Sequence, residues 1–183
     1  MQKKGRKKLS LNHVFNDEKY LIILYTIFCN NKKLKKKHLK KYLLKENTID
    51  FKNDFEISAT SEMFYLYIKY LKSEDYRVGK ISKKEFDEFN KISEEQFFQN
   101  YRFKNNNDFS KYLSNLKHKV FVLDNKHDTR GTYWDFTVDG LRIFEKTHIV
   151  FLLNQLDNET FDKYKDIIKN LIWDLYKIQS LKK

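Results

Sequence analysis

The residues best suited to chemistry lie in one short polar segment past the middle of the chain. Phe109, Leu113 and Leu116 are spaced three and four apart, which predicts the buried face of a helix with Asn107 or Asp108 as its N-cap. Hydroxyl, ammonium and amide groups on the other face could form hydrogen bonds to base edges in a DNA major groove. The predicted contact residues are Ser110, Lys111, Ser114, Asn115, Lys117 and His118. Asn115 is the one most able to recognise adenine.

Two short runs rich in β-branched and aromatic residues follow this helix. The first contains Val120 and Val122, and the second contains Thr132, Trp134 and Phe136. The polar stretch between them, from Asp124 to Gly131, predicts the loop of a β-hairpin. Its basic side chains would contact phosphates or a flanking minor groove, where arginine favours narrow A·T-rich tracts. The predicted loop contacts are Lys126, His127 and Arg130.

Flanking elements must position these groups. Ser93, with Gln96 three residues later, predicts a capped short helix, and only the polar residues 104–108 separate it from the next helix. Two helices joined by such a tight turn indicate a helix-turn-helix. After the hairpin, the hydroxyl of Thr137 could cap a further helix.

The order helix, strand, basic loop, strand, helix resembles the winged helix-turn-helix transcription regulators of the MarR and PadR type over residues 93–156. The resemblance implies a mainly helical α+β fold with a small antiparallel β-hairpin. It also implies DNA binding as a homodimer that reads a pseudo-palindromic site. The residues that match the family pattern are Leu113, Leu116, Arg130, Tyr133, Thr137 and Gly140.

Composition indicates a partner of opposite charge. The 183 residues include 37 Lys and Arg against 25 Asp and Glu, a net charge of +12, and 40% of them are hydrophobic, which suffices for a packed core. We therefore expect nucleic acid as the partner, ahead of an anionic membrane. The single Cys29 excludes an intrachain disulfide and favours a reducing, cytoplasmic location. The longest apolar run, 20–29, is too short to span a bilayer.

The N-terminal part of the chain is predicted to contain an arm and a helical extension. Residues 1–16 form a flexible basic arm for phosphates or a minor groove, with contacts from Lys3, Lys4, Arg6, Lys7 and Lys8. Residues 17–60 form the extension, whose first helix, from Asp17 to Asn30, is expected in the core. A lysine-rich amphipathic helix follows over 32–44, suited to a DNA backbone or a membrane surface. A loop with one short strand is expected over 45–60.

The remaining chain divides into a winged-helix domain, 61–156, and a C-terminal dimerisation helix, 157–183. Ser82 and Glu85 predict a second capping box in the former. In the latter, apolar residues repeat as in a coiled-coil seam, and the resembling family also dimerises at this position. Intramolecular packing is the alternative. The predicted interface residues are Phe161, Tyr164, Ile168, Leu171, Leu175 and Ile178.

An enzyme is not expected, because the chain has no P-loop, HExxH, paired CxxC or GxSxG motif. No catalytic residue, metal or cofactor is predicted. The alternatives to a transcription regulator are a plasmid or mobile-element replication initiator and a phage-type protein that binds and inhibits a partner protein. A nuclease also remains open, since Glu18-Lys19 and Glu145-Lys146 are fragments of a restriction-type motif.

Overall fold

The computed structural model describes residues 13–14, 17–30, 34–116, 123–125 and 133–136, with residues 140, 144, 148, 159, 162, 163 and 166. The backbone of these residues is mainly helical, as predicted. Its helices are α1 (Glu18–Cys29), α2 (Lys36–Leu43), α3 (Phe55–Arg77), α4 (Lys83–Asn90), α5 (Glu94–Tyr101) and α6 (Asn106–Leu116). Its strands are β1 (Leu34–Lys35), β2 (Leu123–Asn125) and β3 (Tyr133–Asp135).

Helix α1 is the centre of the core. Asp17 caps it by accepting a hydrogen bond from the amide of Lys19 at 2.8 Å. Every residue from Tyr20 to Cys29 is buried, because the helix is apolar on nearly all sides and must be covered on all of them. Helices α2, α3, α5 and α6 pack around it. The predicted central core helix is confirmed.

The three strands form one antiparallel sheet in which β3 is the middle strand. Leu34 pairs with Trp134, and Leu123 pairs with Asp135. Strand β1 was not predicted, since two residues are too few to show an alternating pattern. Strand β2 includes Asp124 and Asn125, which the sequence assigned to a loop. Pairing with β3 supplies their backbone hydrogen bonds and overrides the weak strand propensity of these residues.

Helix α3 corrects two predictions. It begins at Phe55, where Asp54 accepts a hydrogen bond from the amide of Ile57 at 3.2 Å, so the predicted loop over 45–60 ends early. The helix then continues without a break through the expected domain boundary between residues 60 and 61. Ile57 and its apolar neighbours on either side of that boundary are buried in the same core.

Residues 45–102, here called the intervening segment, leave and rejoin the rest of the chain at one point. Leu44 forms a parallel bridge with Phe103, whose amide donates to the Leu43 carbonyl at 2.7 Å. The segment contains α3, α4 and α5. Helix α4 begins at the predicted capping box of Ser82 and Glu85, and Ser93 caps α5, also as predicted.

Closure of this segment makes α2 and α6 neighbours, although more than sixty residues separate their centres. Helix α6 packs on α1 and α2, whereas α5 packs on α3 and α1. The sequence paired α5 with α6 because they are adjacent in the chain. In the structure, α2 is therefore a packing partner of α6 that the sequence did not reveal.

Candidate nucleic-acid interface

Helix α6 has one buried face and one polar face. Phe109, Leu113 and Leu116 have exposed fractions of 0%, 1% and 0%, because their spacing directs all three toward α1 and α2. Lys111 and Ser114 are exposed. Of the other predicted contact residues on α6, Asn115 is exposed and Ser110 is partly buried. The structure thus brings four predicted contact residues together on one helix.

The N-cap of α6 is Asn105, not Asn107 or Asp108 as the sequence suggested. The Asn105 side-chain oxygen accepts a hydrogen bond from the amide of Asp108 at 2.8 Å, and its Nδ2 donates to the Asp108 carboxylate at 2.9 Å. The helix consequently begins at Asn106. Asn107 takes no part in this cap and is exposed in the first turn.

Asn115 has a structural partner. Its Nδ2 donates a hydrogen bond to the Tyr20 hydroxyl at 3.0 Å, and the Tyr20 ring packs against Tyr112 with 4.7 Å between centroids. Tyr20 belongs to α1, so the Asn115 amide holds the end of α6 to the core helix. The sequence predicted Asn115 as the residue most able to recognise adenine. The bond to Tyr20 instead directs its amide toward α1.

Helix α2 adds a basic face next to α6. Leu39 and Leu43 anchor it in the core, while Lys36, Lys37, His38 and Lys41 are exposed. Burial, and then repulsion from Lys37, Lys35 and Lys41, lower the pKa of His38. The N-terminus of α2 has no side-chain cap, and a helix N-terminus favours anions. This helix has the positive charge to contact phosphates.

Arg102 joins α2 to the start of α6. It is 2% exposed, and its guanidinium donates to the carbonyls of Tyr42 at 2.8 Å, Asn47 at 2.6 Å and Leu44. These carbonyls lie at and just beyond the end of α2, where no further helical turn supplies donors. Burial lowers the pKa of Arg102. The sequence offered no signal for this role, because the carbonyls that Arg102 binds are more than fifty residues away.

Lys19, on α1, binds carbonyls at the same junction between the end of α2 and the start of α6. Its Nζ donates to the carbonyls of Tyr101 at 2.5 Å and Arg102 at 3.0 Å, and lies 4.9 Å from the Phe103 ring centroid. Burial lowers the pKa of Lys19 most, followed by repulsion from Lys45. One buried cation, Arg102, and one partly buried cation, Lys19, thus hold backbone carbonyls between the end of α2 and the start of α6.

Charge is distributed unevenly between the intervening segment and the rest of the chain. Residues 45–102 contain ten Lys and Arg against twelve Asp and Glu, so 27 of the 37 basic residues but only 13 of the 25 acidic residues lie outside. The net charge is thus −2 for the segment and +14 for the remainder. The positive charge that would attract a polyanion therefore lies in the part of the chain that contains α2, α6 and the strands.

Several predicted elements lie outside the described residues. They include Val120, Val122, Thr132 and Thr137, the five basic contact residues of the arm, and every residue of the predicted dimer interface. At the end of the predicted arm, His13 and Val14 have a helical backbone and Val14 is buried in the core, so the prediction of a flexible arm over 1–16 is wrong at these two residues. The backbone at Gly140 and Phe144 is helical, and both residues are buried. The predicted DNA contacts outside the described residues are Lys3, Lys4, Arg6, Lys7, Lys8, Lys117, His118, Lys126, His127 and Arg130.

Comparison with protein-family models, curated proteins and solved structures finds no match for this chain. Among the described residues, no three histidine, cysteine or carboxylate side chains gather closely enough to hold a metal ion. None of the helices in the described ranges combines the length and the apolar character needed to cross a bilayer. Function is therefore inferred from geometry and charge.

Proposed function

We propose that this protein binds double-stranded DNA through a winged helix-turn-helix composed of α1, β1, α2, α6, β2 and β3. The support is topological. Two strands that are consecutive in the chain pair antiparallel, and β1 pairs on the other edge of β3. Three helices, α1, α2 and α6, pack together beside this sheet. Helix, strand, helix, helix, strand, strand is the order of a winged helix.

In this proposal the helix-turn-helix is discontinuous. Its first helix is α2 rather than α5, and the intervening segment occupies the position of the turn. The bridge between Leu44 and Phe103 and the hydrogen bonds of Arg102 connect the two halves across the gap. The segment's net charge of −2 argues against a place for it on the DNA.

The exposed polar face of α6 carries the proposal. Lys111 and Ser114 lie opposite the three buried anchors of this helix, and the basic face of α2 is adjacent. A helix supported in this way can enter a major groove while lysines on α2 contact the flanking phosphates. Ser110, Lys111 and Ser114 are the base-edge candidates that this proposal takes from the sequence, while the fourth, Asn115, is bonded to the Tyr20 hydroxyl at 3.0 Å.

The remaining parts of the proposal come from the sequence. Lys126, His127 and Arg130 would act as the wing, the basic residues 3–8 as an arm along phosphates, and the residues 157–183 as a dimerisation helix. A homodimer would recognise a pseudo-palindromic site with half-sites about one helical turn apart. A regulator of transcription in the cytoplasm would have these properties.

The test is a titration of the full chain against fluorescent random-sequence duplexes at several salt concentrations, followed by sequencing of the bound fraction. Contacts to six or more phosphates predict a roughly 10³-fold loss of affinity between about 50 and 200 mM salt. An enriched palindrome would support a sequence-recognising dimer, and enrichment of iterated repeats would favour the replication initiator. Little binding at low salt would refute DNA binding and favour the alternative of a protein partner.

A matched pair of lysine variants locates the interface. Lys111→Ala should weaken DNA binding. It should also reduce the slope of log affinity against log salt concentration by about one, because one fewer counterion is released. Lys91→Ala removes the same charge from an exposed position in the intervening segment and should change neither quantity. Equal effects of the two substitutions would mean that α6 is not the DNA-contacting helix.

A further inference from the structure

The direction of the polar face of α6 is set by its buried face. Phe109, Leu113 and Leu116 form the buried row. Moving each position back by two residues turns about 200° around a helix, so Asn107, Lys111 and Ser114 form the row that lies opposite. All three are exposed. This row is therefore the part of α6 farthest from the core.

The N-cap at Asn105 is what makes Asn107 available. A cap residue must turn its side chain back onto the first amides of its helix. The Asn105 side-chain oxygen does so by accepting a hydrogen bond from the Asp108 amide at 2.8 Å. Asn107 is thereby the second residue of the helix, and its amide has no capping role. It sits in the first turn, the part of a recognition helix that contacts base edges in helix-turn-helix complexes.

We infer that Asn107 is a base-contacting residue that selects adenine at one position of the DNA site. The inference rests on the proposed DNA binding. A carboxamide offers one donor and one acceptor side by side, which matches the N6 donor and N7 acceptor of adenine in the major groove. Lys111 and Ser114, one and two turns further along the same row, contact the neighbouring base edges or phosphates.

The other two asparagines of α6 are directed elsewhere. Asn106 precedes Ser110 by four residues, which puts both of them on the flank of the helix rather than on the outermost row. The Nδ2 of Asn115 donates to the Tyr20 hydroxyl at 3.0 Å, on the side of α6 that faces α1. Three identical side chains on one helix thus differ in the direction that they face.

The experiment compares sequence selection by the full-length protein and by Asn107→Ala, Asn106→Ala and Asn115→Ala. Random duplexes are enriched on each protein, and the base preference at every position is compared. A bidentate amide contact discriminates roughly 5-fold to 150-fold against other bases. We expect Asn107→Ala to lose a preference of that size for adenine at one position per half-site. Asn106→Ala and Asn115→Ala should keep the preference of the unmodified protein.

The outcomes separate this inference from the proposed function. If the unmodified protein enriches a motif and Asn107→Ala enriches the same motif, the inference is overturned while DNA binding stands. Loss of the adenine preference in Asn115→Ala alone would also overturn it, and would restore the assignment made from the sequence. If the unmodified protein binds no DNA at low salt, both fall together. Melting curves establish that every variant is folded.

Discussion

Substitution of Arg102 tests whether the junction between the two halves of the proposed DNA-binding unit depends on one side chain. Arg102→Ala removes the donors for the carbonyls of Tyr42, Leu44 and Asn47. The Leu44 carbonyl keeps the hydrogen bond that it accepts from the Asn47 amide at 3.1 Å. The carbonyls of Tyr42 and Asn47 cannot gain donors from a further turn of α2, because this helix ends at Leu43. Arg102 is 2% exposed, so water can replace it only if the junction opens.

The magnitude follows from the number of bonds and the cost of burying a cation. A hydrogen bond from a charged donor contributes roughly 1.5–3 kcal/mol, and a buried acceptor left without a donor costs about 1–3 kcal/mol. The desolvation of the guanidinium offsets part of this sum. We expect Arg102→Ala to lower the free energy of unfolding by about 3 kcal/mol. Arg102→Lys keeps the charge but not the planar fork, and should lose less.

The assay is urea denaturation followed by circular dichroism, with Arg77→Ala as the matched control. Arg77 pairs with Glu74 at 2.7 Å on the surface, and its side chain is 69% exposed, so its loss should leave the midpoint unchanged. Arg102→Ala should also weaken DNA binding more than its unfolded fraction explains, since α6 loses its fixed start. A midpoint for Arg102→Ala equal to that of Arg77→Ala would refute the structural role of Arg102.

Three further predictions concern titratable groups. Burial lowers the pKa of His148 to about 3, while the unfolded chain titrates near 6.5. Folding stability should therefore fall as the pH drops from about 6.5 toward 3, by about 2 kcal/mol at pH 5. His148→Gln should lack this dependence in acid unfolding curves, and an equal slope would contradict the assignment. His38 should show an upward pKa shift in NMR titrations when DNA is added, because phosphates would offset the repulsion from its lysine neighbours. An unchanged pKa would mean that α2 does not contact the DNA. Burial raises the pKa of Cys29 to about 12, so its thiol should react with a disulfide reagent only after unfolding, and rapid reaction of the native protein would show that α1 is exposed.

Local signals in the sequence predicted the starts of α1, α4 and α5. Asp17, Ser82 and Ser93 each cap a helix by bonding to an amide two or three residues away. Such a signal is contained within one turn, so it does not depend on the rest of the chain. The buried row of α6 was equally visible, because burial of every third or fourth residue leaves a pattern that the fold does not have to complete.

The N-cap of α6 shows where local reasoning stops. Spacing predicted Asn107 or Asp108 as the cap, although Asn105 is an equally good capping residue. The bridge between Phe103 and Leu44 holds the chain two residues before Asn105, and Asn105 is the residue that caps the helix. A choice made by a partner fifty-nine positions earlier cannot be seen in a window of ten residues.

The sequence by itself determined that α1, α4, α5 and α6 are helical, that α1 lies in the core, which row of α6 is buried, and that the chain carries a net charge of +12. These properties follow from side-chain type and spacing, which act over one or two turns. Only the tertiary structure decided that α2 packs beside α6, that β1 exists, and that Arg102 binds the end of α2. Each of these depends on groups far apart in the chain, whose meeting requires the intervening segment to fold and close.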